Sequence, residues 1–249
     1  MSDIIFKEKK NIAILTLSRE KTLNAWTSKM RKQICKIFSE LKKKKHIKAI
    51  IITGSGKKAF CSGQDLNEIK NFKSKNVNQW INEFKQVYTA IRSAEIPVIG
   101  AINGIAAGSG FQLALLTDIR VSHSKARFGQ VEINSGVVSI IGPWIIEKVL
   151  GMSKTIELCL TGQLIDGKEA KKNGIVHYLT ERNKVMPMSL KIARQLSDKP
   201  EKAMKLTKKR IWEMFKKDMN NAFEKAKIYH KESFNSGEPQ KKSNYFLKK

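Results

Sequence analysis

Apolar positions along this chain change period repeatedly, and each change marks an element. Ile12-Ala13-Ile14-Leu15-Thr16-Leu17 is a β-branched run of strand length. A polar turn covers 18–24. Met30, Ile34, Ile37 and Leu41 then recur on one face, which predicts an amphipathic helix running out into the lysines at 42–45. Lysines at a helix C-terminus complement the dipole and read as a solvated end. Ala49 to Thr53 is apolar throughout and predicts a buried strand, closed by Gly54-Ser55-Gly56. A glycine turn within Ala59-Phe60-Cys61-Ser62-Gly63-Gln64-Asp65-Leu66 follows, then a helix over 77–92. Pro97 to Ile102 predicts another buried strand. It leads through Asn103-Gly104 and the small-residue turn Ala106-Ala107-Gly108-Ser109-Gly110 into a helix from Phe111 to Leu116, and Ile119 to Ser122 is strand again. Strand and helix alternate, which favours an α/β fold.

Beyond Gly136 helices dominate. Gly142-Pro143 opens one that runs to Leu150, Ser153 caps another through Thr161, and a short one spans 166–173 before Gly174. Ile175 to Leu179 predicts a last strand. From Met186 onward the periodicity is helical, and Pro200 opens the longest segment. There Ile211, Phe215, Met219, Ala222, Ala226 and Tyr229 form an apolar seam that predicts packing, either on the core or on a second subunit. The division expected is a core over 1–195 and a helical region over 196–249.

Composition narrows the classes. The 249 residues, 41% apolar and 28% charged, suit a globular chain with a full core. The N-terminus has no signal-peptide pattern, and no run is long and apolar enough to span a membrane. Cys35, Cys61 and Cys159 are scattered without metal-ligand spacing, so reduced thiols, a cytoplasmic location and no metal site are expected. The net charge of +26 is carried by 48 basic residues, of which only eight are arginine. Lysine gives a diffuse field rather than the arginine forks of dedicated nucleic-acid interfaces, so the charge is expected to decorate solvated faces while attracting polyanions nonspecifically.

The chemistry concentrates between Glu95 and Gly136. A turn of Gly and Ala lets a ligand approach bare backbone, and the helix start after it leaves N–H groups unpaired. Such donors suit a phosphate or the oxyanion of an acyl compound. Phe128-Gly129-Gln130-Val131-Glu132 then puts a carboxylate close behind that turn.

These segments carry a resemblance. AFCSGQDL, IPVIGAINGIAAGSGFQLALLTDIRV and FGQVEINSG, with LNAW before them and LTGQLIDGKEAKKNGIVHYL after, resemble the enoyl-CoA hydratase/isomerase family, the crotonase superfamily, over nearly the whole chain. The resemblance implies an α/β fold of repeated ββα units in a spiral with a C-terminal helical trimerisation region. It also implies an acyl-CoA substrate, no cofactor beyond the CoA of that substrate, and a homotrimer or dimer of trimers.

Carried over by position, the oxyanion donors are the backbone amides of Gln64 and Ser109, where members usually have glycine at the second. Hydratase members usually carry two carboxylates. Here the first position is Gln112 and only Glu132 remains. Gln112 orients a water but cannot take its proton. A single base suits double-bond isomerisation between 3-enoyl and 2-enoyl positions, and hydration of 2-enoyl-CoA is the alternative. CoA-binding candidates are Lys21, Asn24 and Asn67, the last standing where members often place a lysine. Trp144 is a candidate for the acyl pocket. Asp118, at a strand start, reads as structural. A further alternative is a binding protein on the same fold, since one member binds AU-rich RNA through a lysine-lined helix and the segment from Met30 to Lys45 is its counterpart.

Overall fold

In the computed structural model, which describes residues 3–248, the chain lays ten strands and nine helices. The first half runs β1 (Ile4–Lys9), β2 (Ile12–Leu17), α1 (Ser28–Leu41), β3 (Ala49–Gly54), β4 (Ala59–Cys61), α2 (Leu66–Ile69), α3 (Val77–Arg92), β5 (Val98–Ala101), β6 (Ile105–Ala107) and α4 (Ser109–Leu116). The second runs β7 (Ile119–His123), β8 (Arg127–Gly129), α5 (Ile141–Thr161), β9 (Ile165–Asp166), α6 (Gly167–Lys172), β10 (Tyr178–Thr180), α7 (Val185–Ser197), α8 (Glu201–Ser236) and α9 (Glu238–Leu247).

The strands form two sheets, ordered β1-β2-β3-β5-β7-β10 and β4-β6-β8-β9. Successive passes place one strand in the large sheet and the next in the small one: β3 then β4, β5 then β6, β7 then β8. Pairing is parallel except at β1-β2 and β8-β9. This is the expected α/β spiral.

Both faces of the large sheet are covered, which explains why its strands read as unbroken apolar runs. Along β3, Ile50 and Ile52 face the main core, while Ala49 and Ile51 face the other way against Val185, Ile192 and Ala193 of α7. The helix expected near 30–41 is α1, capped by the Thr27 hydroxyl accepting from the Met30 amide. Its buried face is Met30, Arg31, Ile34, Phe38 and Leu41, with Ile37 half-buried beside it.

Several boundaries differ from expectation. β1 lacks a clean apolar pattern because one of its faces is charged, and it is fixed by antiparallel pairing with β2. β6 is built mostly of alanine, so propensity gave no signal; pairing with β4 and β8 makes it a strand. The last strand is β10, displaced from 175–179, because Ile175 and Val176 are buried ahead of it as the exit from α6. The two helices expected at 142–161 are both there, the halves of α5, which meet at a kink where Gly151 leaves helical geometry (φ 72°, ψ 170°).

The seam on α8 also resolves differently. Met219, Phe223, Ala226, His230 and Phe234 are buried, whereas Tyr229 is exposed. This face packs on α3, and α9 returns against α2, so the C-terminal helices close over the same end of the spiral as the glycine turns. Asp118 is held by the Lys208 ammonium at 2.6 Å, the Val98 amide at 2.8 Å and the Arg92 guanidinium at 3.5 Å, tying β7 to α8 and α3. No helix of the described residues is long and apolar enough to cross a membrane.

Candidate active site

The two glycine turns meet. The Gly63 Cα lies so close to the second turn that a Cβ there would sit 2.9 Å from the Ala107 carbonyl and 3.5 Å from the Ser109 nitrogen. Parallel bridging of Trp26 with Gln64 uses the Gly63 carbonyl and the Asp65 amide, which leaves the Gln64 amide turned away. Ser109 opens α4, so its amide is one of the orphan donors of a helix start. Neither amide closes a turn or loop hydrogen bond to another backbone group among the described residues, and the Ser109 amide faces the Glu132 carboxylate. Ser109 has no positive φ, and its hydroxyl accepts from the Trp26 indole N–H at 2.9 Å.

Side chains lock the first turn from beneath. The Arg31 guanidinium, 1% exposed, donates to the Gln64 side-chain oxygen at 2.8 Å and to the Glu83 carboxylate at 3.0 Å. The Gln64 side-chain amide donates to Glu68 at 2.6 Å, and Arg31 lies over the Phe84 ring at 4.4 Å.

Glu132 sits on the loop after β8, and its carboxylate lies against the second turn. A Cβ on Gly108 would come within 2.9 Å of its Oε1, and Gly108 has φ 55°, ψ −130°, so only glycine fits there on both counts. Burial pushes the Glu132 carboxyl up to about 7, against the pull of the Gln130 side chain and of the backbone amides of Ser109, Val131 and Glu132 itself. Its Oε2 is buried without a partner; its Oε1 accepts from the Gln112 side-chain amide at 3.3 Å. The Gln112 carbonyl in turn accepts from the Tyr88 hydroxyl at 2.6 Å. Burial, with the Glu132 charge adding to it, holds the Tyr88 phenol well above its ordinary range, so it stays a donor. Tyr88 therefore fixes which end of the Gln112 amide faces Glu132.

Two spaces open on these atoms. An outer cleft of about 630 Å³ is lined by Lys21, Leu66, Asn67 and, from α9, Phe246 and Leu247. An inner cavity of about 60 Å³ is lined by Trp80, Ile81, Phe84, Val137 to Ile141 and His230. Gln64, Ser109 and Glu132 line both.

A family model described as enoyl-CoA hydratase/isomerase matches residues 7–249. The chain belongs to the enoyl-CoA hydratase/isomerase family. It is 31% identical over 212 residues to the short-chain-enoyl-CoA hydratase of Clostridium acetobutylicum, covering 85% of this chain and 81% of that one. It is 28% identical over 221 residues to the crotonyl-CoA hydratase of Syntrophomonas wolfei, covering 88% and 85%. The crystal structure of an enoyl-CoA hydratase/isomerase from Mycobacterium paratuberculosis superposes with a TM-score of 0.90 over 98% of both chains at 21% identity, a likeness of fold. The chain is thus an enzyme of this crotonase-type family.

Within the site, Gln64, Ser109, Gln112 and Glu132 converge, and Lys21 and Asn67 lie on the cleft wall. Asn24 does not belong with them. It is fully buried, its amide donates to the Ser55 and Ala59 carbonyls at 3.0 and 2.8 Å, and its oxygen accepts from the Arg19 amide and the Ser55 hydroxyl. Every polar atom of that side chain is used in holding the turn, so the expectation that it binds CoA is corrected. Trp144 lines neither space; it packs edge-on against Phe215 at 6.3 Å. Tyr88, Arg31, Trp80 and His230 were missed by sequence reasoning, because each sits at helical spacing on an apolar face.

Proposed function

We propose that this protein takes a short acyl-CoA thioester and shifts a double bond from the 3-enoyl to the 2-enoyl position. The thioester oxygen would lie between the Gln64 and Ser109 amides. Glu132 removes a proton from C2, the C–H electron pair moves into an enolate whose oxyanion those amides hold, and the same proton returns at C4. Each donor is worth about 3 kcal/mol in such a transition state. A carboxyl of pKa about 7 is matched to taking and returning a proton near neutrality.

The observation that carries isomerisation is the state of Gln112. Its amide is held by Tyr88 on one side and donates to Glu132 on the other, so a neutral, non-basic group occupies the place where a second carboxylate would activate water. Hydration is the second reading, favoured by the relatives named hydratases. The outer cleft suits the CoA moiety, with Lys21 toward its phosphates and Asn67 on the rim; CoA arrives with the substrate and no other cofactor is called for by this proton transfer. The inner cavity of about 60 Å³ has room for roughly four water-sized groups at the ~15 Å³ each needs, which favours a short acyl chain.

The deciding experiment supplies but-3-enoyl-CoA and crotonyl-CoA separately and identifies products by mass and double-bond position. Conversion of but-3-enoyl-CoA to crotonyl-CoA without gain of water supports isomerisation. Formation of 3-hydroxybutyryl-CoA from crotonyl-CoA at ordinary turnover, with but-3-enoyl-CoA untouched, establishes the hydratase reading instead.

A further inference from the structure

The inner cavity contains a polar group that neither the fold nor the proton transfer uses. His230, in the buried spine of α8, is 5% exposed. Its Nδ1 is sealed from solvent without a partner, and no hydrogen bond reaches either ring nitrogen among the described residues. Its surroundings are aromatic, with Trp80 edge-on at 5.1 Å and Phe234 tilted at 6.3 Å. A phenylalanine would suit such a cluster without leaving a buried polar atom unmatched, and unmatched atoms of this kind call for an explanation. The Trp80 indole N–H beside it is also buried and unpartnered.

His230 Nδ1 has no accessible surface for a ligand to reach, so a contact from the cavity would be made at Nε2, the ring nitrogen that is not sealed. Gln64, Ser109 and Glu132 line both the cleft and the cavity, whereas His230 and Trp80 line the cavity alone. A thioester entering from the cleft with its carbonyl at the two amides would thus direct its acyl end toward His230. Burial holds the imidazole neutral, its pKa lowered to about 4. No lysine or arginine lines the cavity, so a carboxylate there would be desolvated without a countercharge. A neutral imidazole offers one N–H donor and one lone pair, which a hydroxyl or carbonyl oxygen can meet.

We infer that the inner cavity is built for a short acyl group whose far end carries an uncharged oxygen, hydrogen-bonded to His230. This inference rests on the acyl-CoA reading and narrows it to a substrate class. The test compares crotonyl-CoA, 4-hydroxycrotonyl-CoA, 5-hydroxypent-2-enoyl-CoA and glutaconyl-CoA, measuring kcat/KM for whatever conversion each undergoes. It uses the full chain as wild type, His230→Phe and His230→Gln. Wild type should favour one of the two hydroxylated thioesters over crotonyl-CoA by roughly 5- to 10-fold, the span of one neutral hydrogen bond. His230→Phe should abolish or invert that ratio, and His230→Gln, which keeps a donor and an acceptor, should retain part of it. If the phenylalanine variant fails to fold, the wild-type ratio and the glutamine variant still decide. Crotonyl-CoA equal to or better than both hydroxylated thioesters in wild type overturns the inference, as does a ratio unchanged in His230→Phe. Glutaconyl-CoA as the best substrate overturns it in favour of a charged tip. Turnover of crotonyl-CoA without a tip preference removes this inference alone; no turnover of any of these thioesters, together with no conversion of but-3-enoyl-CoA, removes the acyl-CoA reading with it.

Discussion

Glu132 carries a cost in stability that follows from the same burial that fits it for proton transfer. Its carboxyl is raised from an ordinary value near 4.5 to about 7, so the folded protein holds that proton more tightly than the unfolded chain does. The protonated form's contribution is full below about pH 4.5 and is lost as pH rises to about 7, a difference on the order of 3 kcal/mol. Glu132→Gln should therefore raise the Tm relative to wild type by several degrees at pH 8.5 and by little at pH 5. It should also abolish exchange of acyl α-protons with solvent. A Tm difference that is the same at both pH values would refute the linkage, and retained exchange would remove Glu132 from the chemistry. Tyr88 gives a finer test. Without its hydroxyl the Gln112 amide can turn its oxygen toward Glu132, which disfavours the carboxylate. Tyr88→Phe should shift the pH–rate profile upward and lower kcat about 10-fold near neutrality with KM nearly unchanged. A profile that stays in place with kcat merely scaled would assign Tyr88 to packing. A carboxylate behind the second glycine turn, Glu132, was legible because such turns announce themselves, whereas Gln112 and the amides of Gln64 and Ser109 were singled out by the family resemblance; the structure brings all four residues to one cavity. Tyr88 was not legible, since a tyrosine four residues from Phe84 on an apolar helix face reads as core until its hydroxyl is seen to reach Gln112.

At the scale of elements, α8 acts as the wall behind this hydrogen-bonded line. Phe223 is fully buried and meets the Tyr88 ring edge-on at 5.4 Å, so the helix presses on α3 at the residue that orients Gln112. Phe223→Ala should cost roughly 3–5 kcal/mol by creating a cavity. It should also reduce activity at temperatures where the variant is still folded, because Tyr88 loses its backing. Denaturant titration giving a loss below ~1 kcal/mol would show that the site relaxes around the gap or that the contact is unimportant. The sequence revealed the amphipathic period of α8 but placed Tyr229 in its seam and omitted Phe223 and Phe234, because a long helix offers several overlapping apolar stripes and only the packing partner chooses among them. The same reason hid β6: a run of alanines becomes a strand by lying between β4 and β8, a non-local fact. The buried strands β2, β3, β5 and β7 were readable because both of their faces are covered, which leaves an apolar signal strong enough to stand alone.

For the whole molecule, the charge of +26 sets two dependences on salt that run in opposite directions. The exposed Met152, Ile156 and Leu160 follow one another at one-turn spacing along α5, an apolar stripe that supports the trimer or dimer of trimers proposed from family resemblance. Copies that each carry this charge repel one another at low ionic strength, where the Debye length is about 30 Å, and far less at physiological salt, where it falls to about 8 Å. Light scattering at micromolar concentration should show a larger oligomer fraction at 150 mM than at 10 mM salt, and Ile156→Glu should shift the population toward monomer at both. RNA or another polyanion should behave the other way. Its affinity should fall steeply over the same range as counterions are released, without preference for sequence, because the field is made of lysines. Light scattering that reports a stable monomer at every salt concentration would defeat the assembly, and sequence-selective RNA binding that survives physiological salt would mean that the lysine-rich face of α1 is a recognition surface rather than a solvated one.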